Sequence, residues 1–173
     1  MNALLAVAGL PVLLAAGAFA LAPRKEIVTE IEIAATPGKV WAALADPAGY
    51  RDWNPFLIAM EGHIVEGAVL TNTMKPAGGS ATTFRPTVTK VLPERELRWL
   101  GRLFLPRVFD GEHYFLLEER NGGTRLVHGE RFRGVLLWFI DPERFRADFE
   151  AMNEALRAHV EVRQGDSEKR GNP

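Results

Sequence analysis

"FDGEHYFLLEERNGGTRLVHGERFR", residues 109–133, decides the fold class, because it holds two alternating runs joined at Asn121-Gly122. Asn-Gly between alternating runs is a strong hairpin signal, since both central positions of the tightest turn need positive φ. In the second run Arg125, Val127, Gly129, Arg131 and Arg133 share one face, and Leu126, His128, Glu130 and Phe132 share the other. Three arginines belong in water, so the second face points inward. In the first run His113, Phe115 and Leu117 are inward, with Glu112 and Glu118 outward. A two-residue turn pairs Arg120 with Gly123, sets His113 opposite Glu130 and sets Phe115 opposite His128.

His113, His128 and Glu130 therefore form a polar cluster on the concave side. An ionised Glu130 cannot stay there unpaired, because a bare buried carboxylate costs many kcal/mol. A histidine beside it is expected to have a raised pKa. Three roles are open: a hydrogen-bonded set that fixes strand register, a polar end that orients a ligand, or acid–base catalysis on a bound carbonyl compound. Two histidines and a glutamate facing each other across one hairpin make a poor zinc or iron site. No metal and no cofactor is expected.

Downstream of the hairpin, Asp141-Pro142-Glu143 announces a long helix: cap, proline in the first turn, acid at the positive end. Phe145, Phe149, Met152, Leu156 and Val160 recur every three or four residues and make one apolar stripe. From residue 163 to 173 the chain is polar and is expected to fray. Upstream, "EIVTEIEIA" (26–34) alternates with Ile27, Thr29, Ile31 and Ile33 on one face. Two short helices follow, the first with Thr36 as its cap and Pro37 at its first position. "GYRDWNPF" (49–56) gathers three rings at Asn54-Pro55, where the backbone must leave the helix and turn into the second strand. Further strand-like runs lie at about 56–64, 68–75, 81–92 and 95–103. The whole reads as α+β: a curved antiparallel sheet of about seven strands wrapped around a long C-terminal helix, with two short helices after strand one. Such a wrap leaves a hollow between helix and sheet, the default place for a small apolar ligand.

"ATPGKVWAALADPAGYRDWNPF" (34–56), the hairpin extended to "GVL", and "FEAMNEALRAHVE" (149–161) together resemble the START/Bet v 1-like superfamily in its polyketide cyclase/dehydrase-like branch. The resemblance covers about residues 26–162. It implies a helix-grip fold with an internal cavity. It implies no particular reaction, since the superfamily includes carriers, lipid binders and aromatase/cyclases.

The remaining features bound the function. With 21 basic against 22 acidic side chains, no field of one sign recruits nucleic acid. The absence of cysteine excludes disulfides, thiolate metal sites and thiol nucleophiles. Residues 1–22 carry no ionisable side chain and are followed by Arg24 and Lys25. As an uncleaved membrane anchor the segment puts the domain on the cytoplasmic side. As a cleaved signal peptide it sends the domain to the periplasm or outside, but it lacks a basic leading region and Ala20-Leu21-Ala22 runs into Pro23. The anchored reading is adopted. His63 and His159 read as surface residues. Trp138 and Phe139 read as core packing near the cavity mouth, with membrane contact as the other reading.

The expected function is binding of a small hydrophobic molecule. His113, His128 and Glu130 would orient its polar end. Trp53, Phe56, Phe84, Trp99 and Phe115 are expected in the cavity wall, as are Leu126, Phe132, Phe149 and Met152. The rival functions are a cyclase- or dehydratase-like enzyme using the His/Glu pair, and an interaction module whose cavity is filled by its own side chains. The sequence assigns no oligomeric state.

Overall fold

The computed structural model describes residues 17, 19 and 21–170, with side chains as far as 162. Most of the expected anchor therefore lies outside the described residues. Among the described residues no helix is long and apolar enough to cross a membrane.

The strands are β1 (Arg24–Ile33), β2 (Leu57–Glu61), β3 (Thr71–Met74), β4 (Thr82–Phe84), β5 (Thr87–Leu92), β6 (Glu96–Arg102), β7 (Asp110–Arg120) and β8 (Gly123–Arg133). Between β1 and β2 lie α1 (Pro37–Leu44) and α2 (Tyr50–Trp53), and α3 (Arg146–Arg170) closes the chain. The strands form a five-stranded antiparallel sheet, β1-β8-β7-β6-β5, and a three-stranded one, β2-β3-β4. The arrangement is the expected α+β sheet curved about a long C-terminal helix.

The strand count differs by one. The run at 81–92 is two strands, because Arg85-Pro86 interrupts it. Pro86 has no N–H to give a ladder, and its carbonyl instead accepts from Leu70 N at 2.9 Å. The bend transfers the chain from the small sheet to the large one.

The hairpin pairs as its turn chemistry dictates. Asn121 and Gly122 take φ of 51° and 79°, and Arg120 pairs with Gly123, His113 with Glu130 and Phe115 with His128. β8 also pairs with β1 along its whole length, Ile27 facing Glu130 and Thr29 facing His128.

The corner at Asn54-Pro55 has a mechanism. The Asn54 side-chain oxygen accepts from the N–H groups of Phe56 and Leu57 at 2.9 and 2.8 Å, an Asx-type turn that carries the chain into β2. Tyr50 is wholly buried beneath it and donates its hydroxyl to the Leu44 carbonyl at 3.1 Å.

Thr36 sits at the start of α1, but its side chain makes no capping bond. Asp141 does cap: its carboxylate accepts from Glu143 N at 3.3 Å ahead of α3. The stripe Phe149, Met152, Leu156 and Val160 is buried against the large sheet. The backbone stays helical through Arg170 rather than fraying after Arg163. Gly165, the one weak helix former there, costs only about 1 kcal/mol, and no proline intervenes before Pro173.

Candidate ligand-binding site

The space between α3 and the sheet is not hollow along its length. Behind the middle of the helix it is filled by Phe115, Leu126, Met152 and Leu156, all fully buried. A cavity of about 210 Å³ opens at the N-terminal end of α3, between the two sheets. β2, β3 and β4, with the residue just before β2, supply Phe56, Leu57, Met74 and Phe84; β6, β7 and β8 supply Trp99, His113, Glu130 and Phe132; the turn ahead of α3 supplies Phe145 and its first turn Phe149.

Two glycines make room for it. Gly101 and Gly111 face each other across β6 and β7, and both line the cavity. A Cβ on Gly111 would stand 2.1 Å from Glu130 Oε1, so the carboxyl occupies the space that any other residue would fill. A glycine inside a strand is a recognised sign of such close approach. That signal was present in "LGR" and "DGE", and sequence reasoning missed both.

Behind Glu130 runs a chain of buried polar groups. Glu130 Oε2 lies 3.3 Å from His113 Nδ1. His113 Nε2 lies 2.8 Å from His128 Nε2. His128 Nδ1 meets Asn153 Oδ1 at 2.7 Å, and the Asn153 amide donates to Thr29 Oγ1 at 2.9 Å. The Thr29 hydroxyl donates to the His128 carbonyl at 3.0 Å. Asn153 and Thr29 were not foreseen.

The chain fixes its own proton positions. Thr29 spends its hydrogen on a carbonyl, so it accepts from the Asn153 NH₂. Asn153 Oδ1 can only accept, so His128 Nδ1 carries a proton. A neutral His128 then accepts at Nε2, which makes His113 the donor there. His113 Nδ1 is left as an acceptor, so Glu130 must be the protonated partner.

The electrostatics agree. Burial pushes the Glu130 carboxyl up to about 8. Burial pulls His113 down to about 3. His128 is also held well below the usual range, by burial first and by His113 second. The sequence expectation of a raised histidine pKa is therefore corrected. Desolvation of both partners outweighs their pairing, and the stable form is neutral imidazole beside neutral carboxylic acid. Aromatic rings complete the enclosure: Trp99 stacks on His113 at 4.8 Å and Phe149 on His128 at 4.5 Å.

Residues 24–161 match the family described as polyketide cyclase / dehydrase and lipid transport. The chain belongs to that family. Membership and fold place it in the START/Bet v 1-like superfamily, with the helix-grip arrangement. The major latex-like protein 151 of Panax ginseng is a similar solved structure: 13% identity, TM-score 0.65, covering 79% of this chain and 97% of that one. Protein NE0264 from Nitrosomonas europaea gives 16% identity and TM-score 0.65, over 81% of this chain and 96% of that one. The di-domain ARO/CYC StfQ of the steffimycin biosynthetic pathway gives 11% identity and TM-score 0.61, over 82% of this chain and 52% of that one. No curated protein matches.

In this family member, seven of the residues expected at the site line the cavity: Phe56, Phe84, Trp99, His113, Glu130, Phe132 and Phe149. Five do not. Phe115, Leu126 and Met152 are core, because α3 packs tightly on the sheet at their level. His128 is fully buried behind His113 and reaches the cavity only through it. Trp53 packs on Tyr50 and on His159, at 5.0 and 6.1 Å, away from the cavity. His159 is accordingly half-buried rather than a plain surface residue. Trp138 and Phe139 are exposed, not core. Among the described residues no group of three His, Cys, Asp or Glu side chains is placed to hold a metal ion.

Proposed function

We propose that the protein binds a compact, largely apolar molecule bearing one hydroxyl group, held with that hydroxyl against Glu130. One observation carries this reading: Glu130 is the carboxyl of the cavity interior, and among the described residues one of its two oxygens has no hydrogen-bond partner. Both nitrogens of His113 are engaged in the chain, while Arg102 and Thr82 lie at the exposed rim. Glu130 donates its O–H from Oε2 to His113 Nδ1, which leaves Oε1 as an acceptor, and an acceptor calls for a donor on the ligand.

The size supports a molecule of one or two rings, since an apolar cavity of about 150 Å³ already admits benzene. Affinity comes from removing apolar surface from water, about 25 cal/mol per Å². The family description, with its reference to lipid transport, is consistent with an apolar cargo.

The test is a titration of the full chain with 2-naphthol and with its methyl ether. The phenol is expected to bind about tenfold tighter, the worth of one hydrogen bond of about 1.4 kcal/mol. Glu130→Leu should erase the preference, and Glu130→Gln should keep it, because the amide oxygen still accepts while its NH₂ donates to His113. Equal affinity of phenol and ether for the wild type would overturn the reading.

An enzymatic reading has one observation behind it. A carboxyl titrating near 8 exchanges protons close to neutral pH, as a general acid or base must. Under that reading Glu130→Gln binds substrate normally and turns none over. The StfQ cyclase supports it by fold alone.

A further inference from the structure

Three segments meet at the end of the molecule where the cavity opens. They are the approach to β1, the β6–β7 loop (103–109) and the stretch after β8 (134–141). Backbone hydrogen bonds stitch them together: Gly134 N to Pro23 O at 3.2 Å, Val135 N to Arg107 O at 2.9 Å and Leu136 N to Val108 O at 3.1 Å. Gly134 is needed for this approach, because a Cβ there would stand 2.3 Å from Val108 O.

What these segments hold outward is apolar. Phe104 and Phe139 are 88% and 85% exposed, and Leu105 and Trp138 are 64% and 53% exposed. Phe104 also takes φ of 62°, a left-handed conformation that bulky residues rarely adopt, and Arg107 takes 67°. Singly exposed apolar residues need no explanation, but four of them on two segments bonded to each other, one running on from the cavity-lining Leu103, do.

Basic side chains flank the patch. Arg24 pairs with Arg133 across β1 and β8, and the Arg133 pKa is held down by burial first and then by the nearby Arg107 and Arg24. Arg102 stands at the cavity rim beside Leu103. The acids here are Asp110, which accepts from Arg107 N and faces Arg102, Asp141, which is taken by Lys25, and Glu143, which is taken by Arg146. The balance is positive. The segment without ionisable side chains, residues 1–22, joins the fold at this same end.

We propose that this end of the protein docks on a lipid bilayer with anionic headgroups. Phe104, Leu105, Trp138 and Phe139 enter the boundary between headgroups and acyl chains, and Arg24, Arg102 and Arg107 meet the phosphates. Rings at the headgroup level and arginines against anionic lipid are the chemistry of a membrane interface. The cavity mouth then opens onto the bilayer, so an apolar ligand passes between them without crossing water. That last consequence rests on the proposed ligand binding; the docking does not.

The test uses the full chain with phosphatidylcholine vesicles carrying bromine on their acyl chains, which quenches indole fluorescence on contact. Wild-type emission should fall, and Trp138→Phe should lose most of that fall, since Trp99 is buried and Trp41 and Trp53 are half-buried on the two short helices. Phosphatidylserine should deepen the quenching, and salt or Arg107→Glu should weaken it. Equal quenching of wild type and Trp138→Phe would overturn the proposal, because Trp41 or Trp53, on the short helices, would then be the indole that meets the lipid. No quenching, with self-association in vesicle-free solution, would also overturn it and assign the patch to a second copy. Quenching indifferent to phosphatidylserine would overturn the anionic preference. Naphthol binding is measured without vesicles, so docking and ligand binding fail separately.

Discussion

The Nε2 atoms of His113 and His128 lie 2.8 Å apart, so one ring donates to the other. Asn153 decides which, and that choice runs through His113 to Glu130 and leaves the carboxyl protonated in the folded state.

Stability should consequently peak near pH 6.5 and fall as the pH rises toward 8. Glu130 has a folded pKa raised from 4.5 to about 8, so its contribution is full below 4.5 and is lost as the pH climbs through 8. His113 has a folded pKa lowered from 6.5 to about 3, so its contribution is present above 6.5 and is lost as the pH falls through 3. His128 moves in the same direction. Between 6.5 and 8 only Glu130 of the three changes stability, by about 1–2 kcal/mol at 1.36 kcal/mol per unit, trimmed by the 21% of its side chain that remains exposed. Glu130→Gln should flatten that limb in urea titrations at pH 6.5 and 8. A wild-type limb that is already flat would mean Glu130 is ionised at neutral pH.

Asn153→Ala should cost about 2–4 kcal/mol. It opens a small void and strips the partner from a buried His128 N–H and from Thr29. It should also reverse the proton order, since nothing then obliges His128 to protonate Nδ1. The imidazole ¹⁵N shifts of His128 report its tautomer, and shifts identical to the wild type would show that Asn153 does not direct the chain.

The register of the hairpin was legible because Asn121-Gly122 admits one tight turn and three outward arginines leave one inward face. The direction of the histidine pKa shift was not legible. A neighbouring carboxyl is written in the sequence, whereas depth of burial depends on how α3 and β2 close over both groups. Asn153 was hidden for a related reason: it sits beside Met152 on a stripe whose periodicity says only "buried". The cavity's position was misjudged toward the middle of α3, because nothing local reveals that Phe115, Leu126 and Met152 interdigitate. Pro86 did carry a readable signal, and it separates β4 from β5.

Asn72→Leu should stabilise the protein. Asn72 is fully buried on β3, and neither amide atom finds a partner among the described residues. Removing an unsatisfied buried amide at similar volume recovers about 1–2 kcal/mol, or roughly 2–6 °C in Tm for a domain of this size. A lower Tm in a thermal melt would mean that the amide is satisfied in solution, by water or by ligand.

The glycine pair offers the sharpest probe of the cavity, because its two members predict different outcomes. A Cβ at Gly111 collides with the Glu130 carboxyl, so Gly111→Ala must expel that group or shift β7. It should cost about 1–3 kcal/mol and abolish the preference for naphthol over its ether. A Cβ at Gly101 meets the Phe84 ring at 3.7 Å, ordinary contact. Gly101→Ala should therefore leave stability within about 1 kcal/mol and keep the hydroxyl preference while weakening two-ring ligands relative to one-ring ones. If both variants bind both ring sizes as the wild type does, ligand does not enter between β6 and β7, and the space lined by Phe84, Trp99 and Glu130 is not where it sits.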